Sequence, residues 1–299
     1  YYEWIKKDRI VGYLHEVLES NEKIKAILKQ SNTIAVGRFF YNDHGIVHAR
    51  IVSAAALEIF QRLISLSYIP NVVKDNGFSL EDAKVVVMLG AYLHDIGNSI
   101  HREQHPLIGS LLAYQILDEI LFEIYPEKSK REIIKLEIAH CIYSHDEKIL
   151  APSFEASIVK IADGLDMAEG RARIPYKLGK ADIHAFSALA IKKVELETTK
   201  EKPILIKVHM DNEAGIFQIE KVLIPKIQTT ILKNLVQIDA IKDGNLLRSY
   251  AFEWFNSANI LFCNNSILNQ TFDRCIKRWS NLFSLAKKHY KKNVKVGKS

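Results

Sequence analysis

The sequence predicts a mainly α-helical protein with a small α+β unit behind its helical part. An apolar stripe at positions 51, 52, 55, 59, 63 and 66 recurs at helical spacing through Ile51 to Leu66. Ser79 followed by Asp82 has the pattern of a capping box, in which each residue satisfies a backbone N–H at the start of a helix. Farther on, Ile204, Ile206, Val208 and Met210 alternate with other residues at period two, which is a strand pattern. The organisation expected is a helical domain over 1–183, an α+β subdomain over 184–245 and a helical C-terminal segment with a basic tail over 246–299.

Taken in order, the stripe after His48 gives a core helix, and the helix opened by Ser79 is expected to close at Gly97. That boundary places His94 and Asp95 in its last turn. Pro106 suits the first turn of another helix with His105 at its entrance, and Pro152 suits the start of the segment leading to Asp163. Past residue 185, Ala188 to Glu197 and the strand from Ile204 are joined by the turn-like TTKEKP. Ile216 to Leu232 reads as helix interrupted at Pro225, and Leu235 to Ile241 as a third strand, giving β-β-α-β. From Leu246 the aromatic-rich chain, with Trp254, Phe255, Trp279 and Phe283, reads as helix.

With 299 residues and 48% apolar composition the chain can bury a substantial core. Its longest clearly apolar stretch, Val85 to Leu93, is too short for a membrane span and ends in the charged pair His94-Asp95. The N-terminal segment interleaves charges with apolar residues, unlike a signal peptide, although the chain starts at Tyr1 and a leader outside this numbering stays open. Cys141, Cys263 and Cys275 form no CxxC pair, and their odd number does not suit a disulfide scaffold, so a cytoplasmic location is expected. The net charge of +6 is matched by the six lysines between Ala286 and Ser299. A solvated tail accounts for it without a nucleic-acid partner. A homo-oligomer is compatible with the sequence.

Chemistry is concentrated in the histidines. Seven of the eleven, His44, His48, His94, His101, His105, His140 and His145, fall between residues 44 and 145. Asp163 lies on an apolar face, with Val159 and Ala156 behind it and Met167 ahead, so its carboxylate needs a cation or several donors. His48 faces Ile51, Val52 and Ala55, and His94 faces Val87, Gly90 and Ala91, so both point inward at helical spacing. Together with Asp95 these groups form a mixed N/O set suited to a divalent ion such as Mn, Fe, Zn, Ni or Mg. On a helical wheel through Ile133 to Ile142, His145 falls roughly 20° from the apolar centre and His140 roughly 120° away, which favours His145 as the ligand.

A histidine, a His-Asp doublet and a distant aspartate, here His48, His94, Asp95 and Asp163, resemble the pattern of the HD superfamily of metal-dependent phosphohydrolases. The surrounding HARIVSAA, LHDIG and IADGLDM segments carry the resemblance over roughly residues 40 to 175. The resemblance implies a helical HD bundle and one or two divalent ions. His105-Pro-Leu-Ile-Gly109 is similar to the HPxxG element of binuclear members, and Ile142-Tyr-Ser-His145 to their Ile-x-x-His element. These imply a second ion held by His105 and His145, with Asp95 bridging. His44, one turn from His48, could be an additional ligand, a support for the ligands or a substrate contact, with solvent-facing structural duty at least as expected, and it is kept out of the ligand set.

The reaction implied is hydrolysis of a nucleotide or other small phosphoester by metal-bound hydroxide. Arg171 and Arg173 are expected to pair with phosphate, and His140 is a further substrate-binding candidate. Asp95, His101 and Lys160 are the candidates for catalytic work, the latter two for leaving-group protonation or substrate contact. Two alternatives stay open: an HD-type di-iron oxygenase, and a regulatory nucleotide-binding protein. No Gly-Tyr-Pro triplet, Walker P-loop or GxGxxG is present.

Overall fold

The computed structural model describes residues 2–168, 170, 183–199 and 201–252. It is mainly α-helical, with a small sheet in its C-terminal part. Arg171, Arg173 and the aromatic-rich chain from residue 253 onward lie outside the described residues.

Helices α1 (Tyr2–Lys7), α2 (Arg9–Ser20) and α3 (Glu22–Ala35) lead into α4 (Ile46–Ser65), whose inward face is Val52, Ala56, Ile59, Phe60 and Leu63. After the short α5 (Asn71–Asn76), α6 (Leu80–Leu93) opens at the expected Ser79–Asp82 capping box. From Val85 to Leu93 every residue of α6 is buried. That is why it reads apolar all round, and it packs against α4, α8 (Lys128–Tyr143) and α9 (Phe154–Leu165). Helix α7 (His105–Leu121) begins at His105 with Pro106 in its first turn, and it packs against α8.

Two helix boundaries differ from the sequence reading. Helix α6 ends at Leu93 with His94 as its C-cap, and a separate 3-10 turn, Ile96–Ser99, holds Gly97. Asp95 therefore sits in the bend between them. Gly97 marks a close approach: a Cβ there would stand 2.0 Å from the carbonyl oxygen of His105. Helix α8 stops at Tyr143, so His145 lies in the turn beyond it.

Helix α10 (Ile183–Ala190) precedes strand β1 (Ile191–Glu197), so the strand starts three residues later than Ala188. β1 pairs antiparallel with β2 (Ile204–Met210), and β2 pairs parallel with β3 (Val236–Lys242). The parallel connection passes through α11 (Gly215–Gln218), a π turn (Ile219–Leu223) and α12 (Ile224–Gln228). A fourth strand, β4 (Asn245–Ala251), pairs antiparallel with β3, which corrects the helix expected from Leu246. The reason is the turn. Asp243 and Gly244 both take positive φ, 50° and 79°, the backbone of a tight hairpin whose twist matches the strands. Helices and sheet cluster in one compact unit that ends before Trp254. Leu223 and Lys226 close over Gly164 of α9, where a Cβ would meet Leu223 at 2.8 Å.

Candidate metal centre

Four imidazoles and two carboxylates converge where α4, α6, α7 and α9 meet. His48 and His94 are fully buried, and Asp95, His105, His145 and Asp163 nearly so. The Nε2 atoms of His48 and His94 stand 3.1 Å apart, and those of His105 and His145 also 3.1 Å. Asp95 lies between the two pairs and splits its oxygens. Its Oδ2 is 3.4 Å from His48 Nε2 and 3.3 Å from His94 Nε2, whereas its Oδ1 is 3.4 Å from His105 Nε2 and 3.8 Å from His145 Nε2. Asp163 Oδ1 joins the first pair, at 3.2 Å from His48 and 3.5 Å from His94.

The outward ring nitrogens settle which way these imidazoles carry their protons. Nδ1 of His94, His105 and His145 meets the carbonyl oxygens of Ala91, Arg102 and Ile142 at 2.8, 3.0 and 2.6 Å. A carbonyl only accepts, so each Nδ1 donates and each Nε2 is left with a lone pair. His48 Nδ1 is held in the same way by Asp166 Oδ2 at 2.6 Å. Lone pairs therefore face each other within each pair, an arrangement that calls for a cation between them. Ligand atoms about 2.1 Å from an ion stand about 3.0 Å apart at adjacent octahedral positions and about 3.4 Å apart in a tetrahedron. Most of the observed separations, 3.1 to 3.5 Å, match those spacings closely, and His145 Nε2 to Asp95 Oδ1 is wider at 3.8 Å. Three overlapping sets, His44/His48/Asp95, His48/His94/Asp163 and His94/Asp95/His145, each place their ligand atoms within 4.8 Å of one another.

Charge reinforces the geometry. Burial pulls His94 down, but the Asp95 and Asp163 carboxylates outweigh it and hold the imidazole above its ordinary range. Burial dominates at the other pair: His105 is pushed down to about 4, and His145 well below its usual value with the help of repulsion from His94 and His105. These two stay neutral and ready to ligate. Burial opposes ionisation of Asp95, yet His44 and His94 draw its carboxyl well below the usual range. Asp163 is lowered likewise by Lys226 and His94 against the same burial.

Further partners surround the ligands, and of these the sequence singles out only His44, with its role left open. His44 is buried rather than solvent-facing, and its Nδ1 meets Asp95 Oδ2 at 2.5 Å. Asn98 donates to Asp95 Oδ1 at 2.8 Å. Asp166 follows Asp163 in the same IADGLDM segment, but the helix ends at Leu165, so its role in orienting His48 comes from the turn. Lys226 of α12 donates to Asp163 Oδ2 at 2.7 Å and to the His145 carbonyl at 2.9 Å, and no local motif announces it.

The remaining candidates lie elsewhere. Lys160 is fully buried, and its ammonium donates to the Ile149 carbonyl and to Thr229 Oγ1, 2.9 Å away. Burial and the charge of Lys226 lower it to about 8. Its donors serve the packing of α9 and α12 rather than the cluster. His140 lines a separate hollow with Asn71, Asp75 and Glu137. His101 is exposed, with its ring edge-on to Phe39 at 5.3 Å.

A cleft of about 360 Å³ opens onto the cluster. Its lining includes Tyr41, His44 and Arg102 from the helical part and His184, Gln218, Lys221 and Lys226 from the part that follows residue 182. The α+β part of the chain thus supplies a wall.

The HD domain family model matches residues 46–168. A relative, the uncharacterized protein MJ1020 of Methanocaldococcus jannaschii, is 45% identical over 227 residues, which cover 76% of this chain and 87% of that protein. The chain belongs to the HD-domain family. No solved structure matches it. The doublet His94-Asp95 lies within the matched span, and an HD domain points to the superfamily of metal-dependent phosphohydrolases. Its His/Asp cluster is compatible with divalent metal binding. Among the described residues no helix is long and apolar enough to cross a membrane. The matched HD domain ends at residue 168, so Lys221 and Lys226 reach its cleft from outside it.

Proposed function

We propose that this protein hydrolyses a nucleotide or another small phosphoester at a binuclear metal centre. The observation that carries the reading is the division of Asp95, one carboxylate oxygen toward each pair of histidines. His48, His94 and Asp163 complete one half, and His105 and His145 the other. Divalent ions held there supply Lewis acidity, neutralising phosphoryl charge and making water acidic near neutral pH.

The protein's own groups supply order. Four Nδ1–H bonds lock the imidazoles with Nε2 inward, so little reorganisation is needed when ions bind. Asn98 and His44 fix the bridging carboxylate from either side. The cleft admits a small ester, and Arg102, Lys221 and Lys226 in its lining offer positive charge to an anionic one. Arg171 and Arg173, eight and ten residues beyond Asp163, belong to the proposal as bidentate phosphate partners.

The test is metal analysis of protein purified without chelator, followed by assays on mono-, di- and cyclic nucleotides and on sugar phosphates. Metal uptake with phosphate release that is lost in Asp95→Ala supports the proposal. Protein that stays metal-free and inactive after reconstitution with each candidate ion sinks it, and dioxygen-dependent turnover of an iron-loaded form would redirect it to oxygenase chemistry.

A further inference from the structure

We propose that Lys226, which the α+β unit carries into the cleft, binds the phosphoryl group of the substrate directly. The inference rests on the phosphohydrolase reading and adds to it a substrate-contacting cation from outside the matched HD domain.

An ammonium has three N–H donors. Lys226 uses one on Asp163 Oδ2 and a second on the His145 carbonyl, and no third acceptor is present among the described residues. The side chain lines the cleft, and one of its three donors is left for a ligand bound there. Asp163 belongs to the first half of the centre and His145 to the second. Through the Asp163 carboxylate and the His145 backbone Lys226 is tied to a residue of each half, and its side chain lines the cleft in which a phosphoryl group would lie.

The other described cations of this region are less suited. Arg102 is engaged with Asn98 Oδ1 at 3.1 Å and lies over the ring of Tyr41. Lys160 is spent on carbonyls beneath α12. Lys221 lines the cleft but is exposed to solvent, where its charge is screened. Lys226 alone among these combines burial with a donor left over. A buried ammonium is costly unless its donors are met, and phosphate oxygens meet them with charge-assisted hydrogen bonds.

The experiment is calorimetric titration of inorganic phosphate into the metal-loaded full chain, for the wild type, Lys226→Met and Lys226→Gln, with metal content measured on each sample. The glutamine variant keeps an amide donor for Asp163 and serves if the methionine variant fails to fold. The expected result is phosphate binding weakened about ten- to hundredfold in the variants, with metal content unchanged, as loss of a charge-assisted hydrogen bond implies. Phosphate affinity within about threefold of wild type, too small a change for such a bond, overturns the inference. So does loss of metal in both variants, which would make Lys226 a positioning residue for Asp163. A wild type that holds metal and releases phosphate from esters while Lys226→Met binds phosphate normally sinks this inference alone; a wild type that takes up no metal sinks the phosphohydrolase reading with it.

Discussion

His48 and His94 present lone pairs to each other across 3.1 Å because Asp166 and the Ala91 carbonyl take their outer protons. Asp166 holds the outer nitrogen of His48, so Asp166→Asn should weaken divalent-ion binding about ten- to hundredfold, the usual cost of losing such a partner, and leave the fold intact. Equilibrium dialysis against Mn²⁺, with circular dichroism as the control, checks it. Acidification gives a second prediction. In the unfolded chain His105 and His145 titrate near about 6.5. In the folded, metal-free protein they stay neutral to lower pH, His105 to about 4. The unfolded chain therefore binds more protons between those values, and stability falls as pH falls from about 6.5 toward about 4. His94, raised by Asp95 and Asp163 against burial, works in the opposite sense: its contribution is complete below the unfolded value and fades as pH rises through the folded one. Urea midpoints of the metal-free protein should drop across that acid window, and His105→Asn should flatten the drop. Of these residues, His48, His94 and Asp163 were legible in the sequence because each sits on an apolar helical face. Asp166 and Lys226 were not, since one works from a turn and the other from an element some sixty residues away.

At the scale of elements, the centre depends on how closely the 3-10 turn Ile96–Ser99 meets the start of α7. Gly97 and Gly109 make that approach possible, because Gly97 leaves room for the His105 carbonyl and the backbone nitrogen of Gly109. Gly97→Ala must push α7 away and carry His105 with it. It should cost about 2 kcal/mol or more, in the range of overpacked sites, and reduce metal stoichiometry toward one ion per chain. Thermal melts and metal analysis read the two effects. At the β3–β4 turn, Gly244 has open space but a φ of 79°, so Gly244→Ala should cost about 1 kcal/mol through backbone strain alone and leave metal binding unchanged. The capping box and the proline at the start of α7 were readable from sequence, because both act within one turn of chain. Strand β4 was equally readable from its Asp-Gly turn, and the aromatic residues that follow pulled the reading toward helix. Where α6 ends was harder, since the bend at Asp95 follows from contacts with α7 that no local pattern encodes.

For the whole molecule, the helical bundle and the sheet are one compact unit, and the cleft has a wall from each. Helical periodicity and the period-two run made the fold class legible, but not that α12 closes over α9. Ions that bind only the folded chain must stabilise all of it: Mn²⁺ at about a hundred times its dissociation constant should add about 2.7 kcal/mol per site, and a chelator should reverse the gain. The central claim is that Asp95 joins two ion sites. Electron paramagnetic resonance of the metal-free protein titrated with Mn²⁺ tests it most directly. The account predicts two ions per chain and the signal of an exchange-coupled pair, which Asp95→Ala abolishes. A single uncoupled ion, or none, would contradict it.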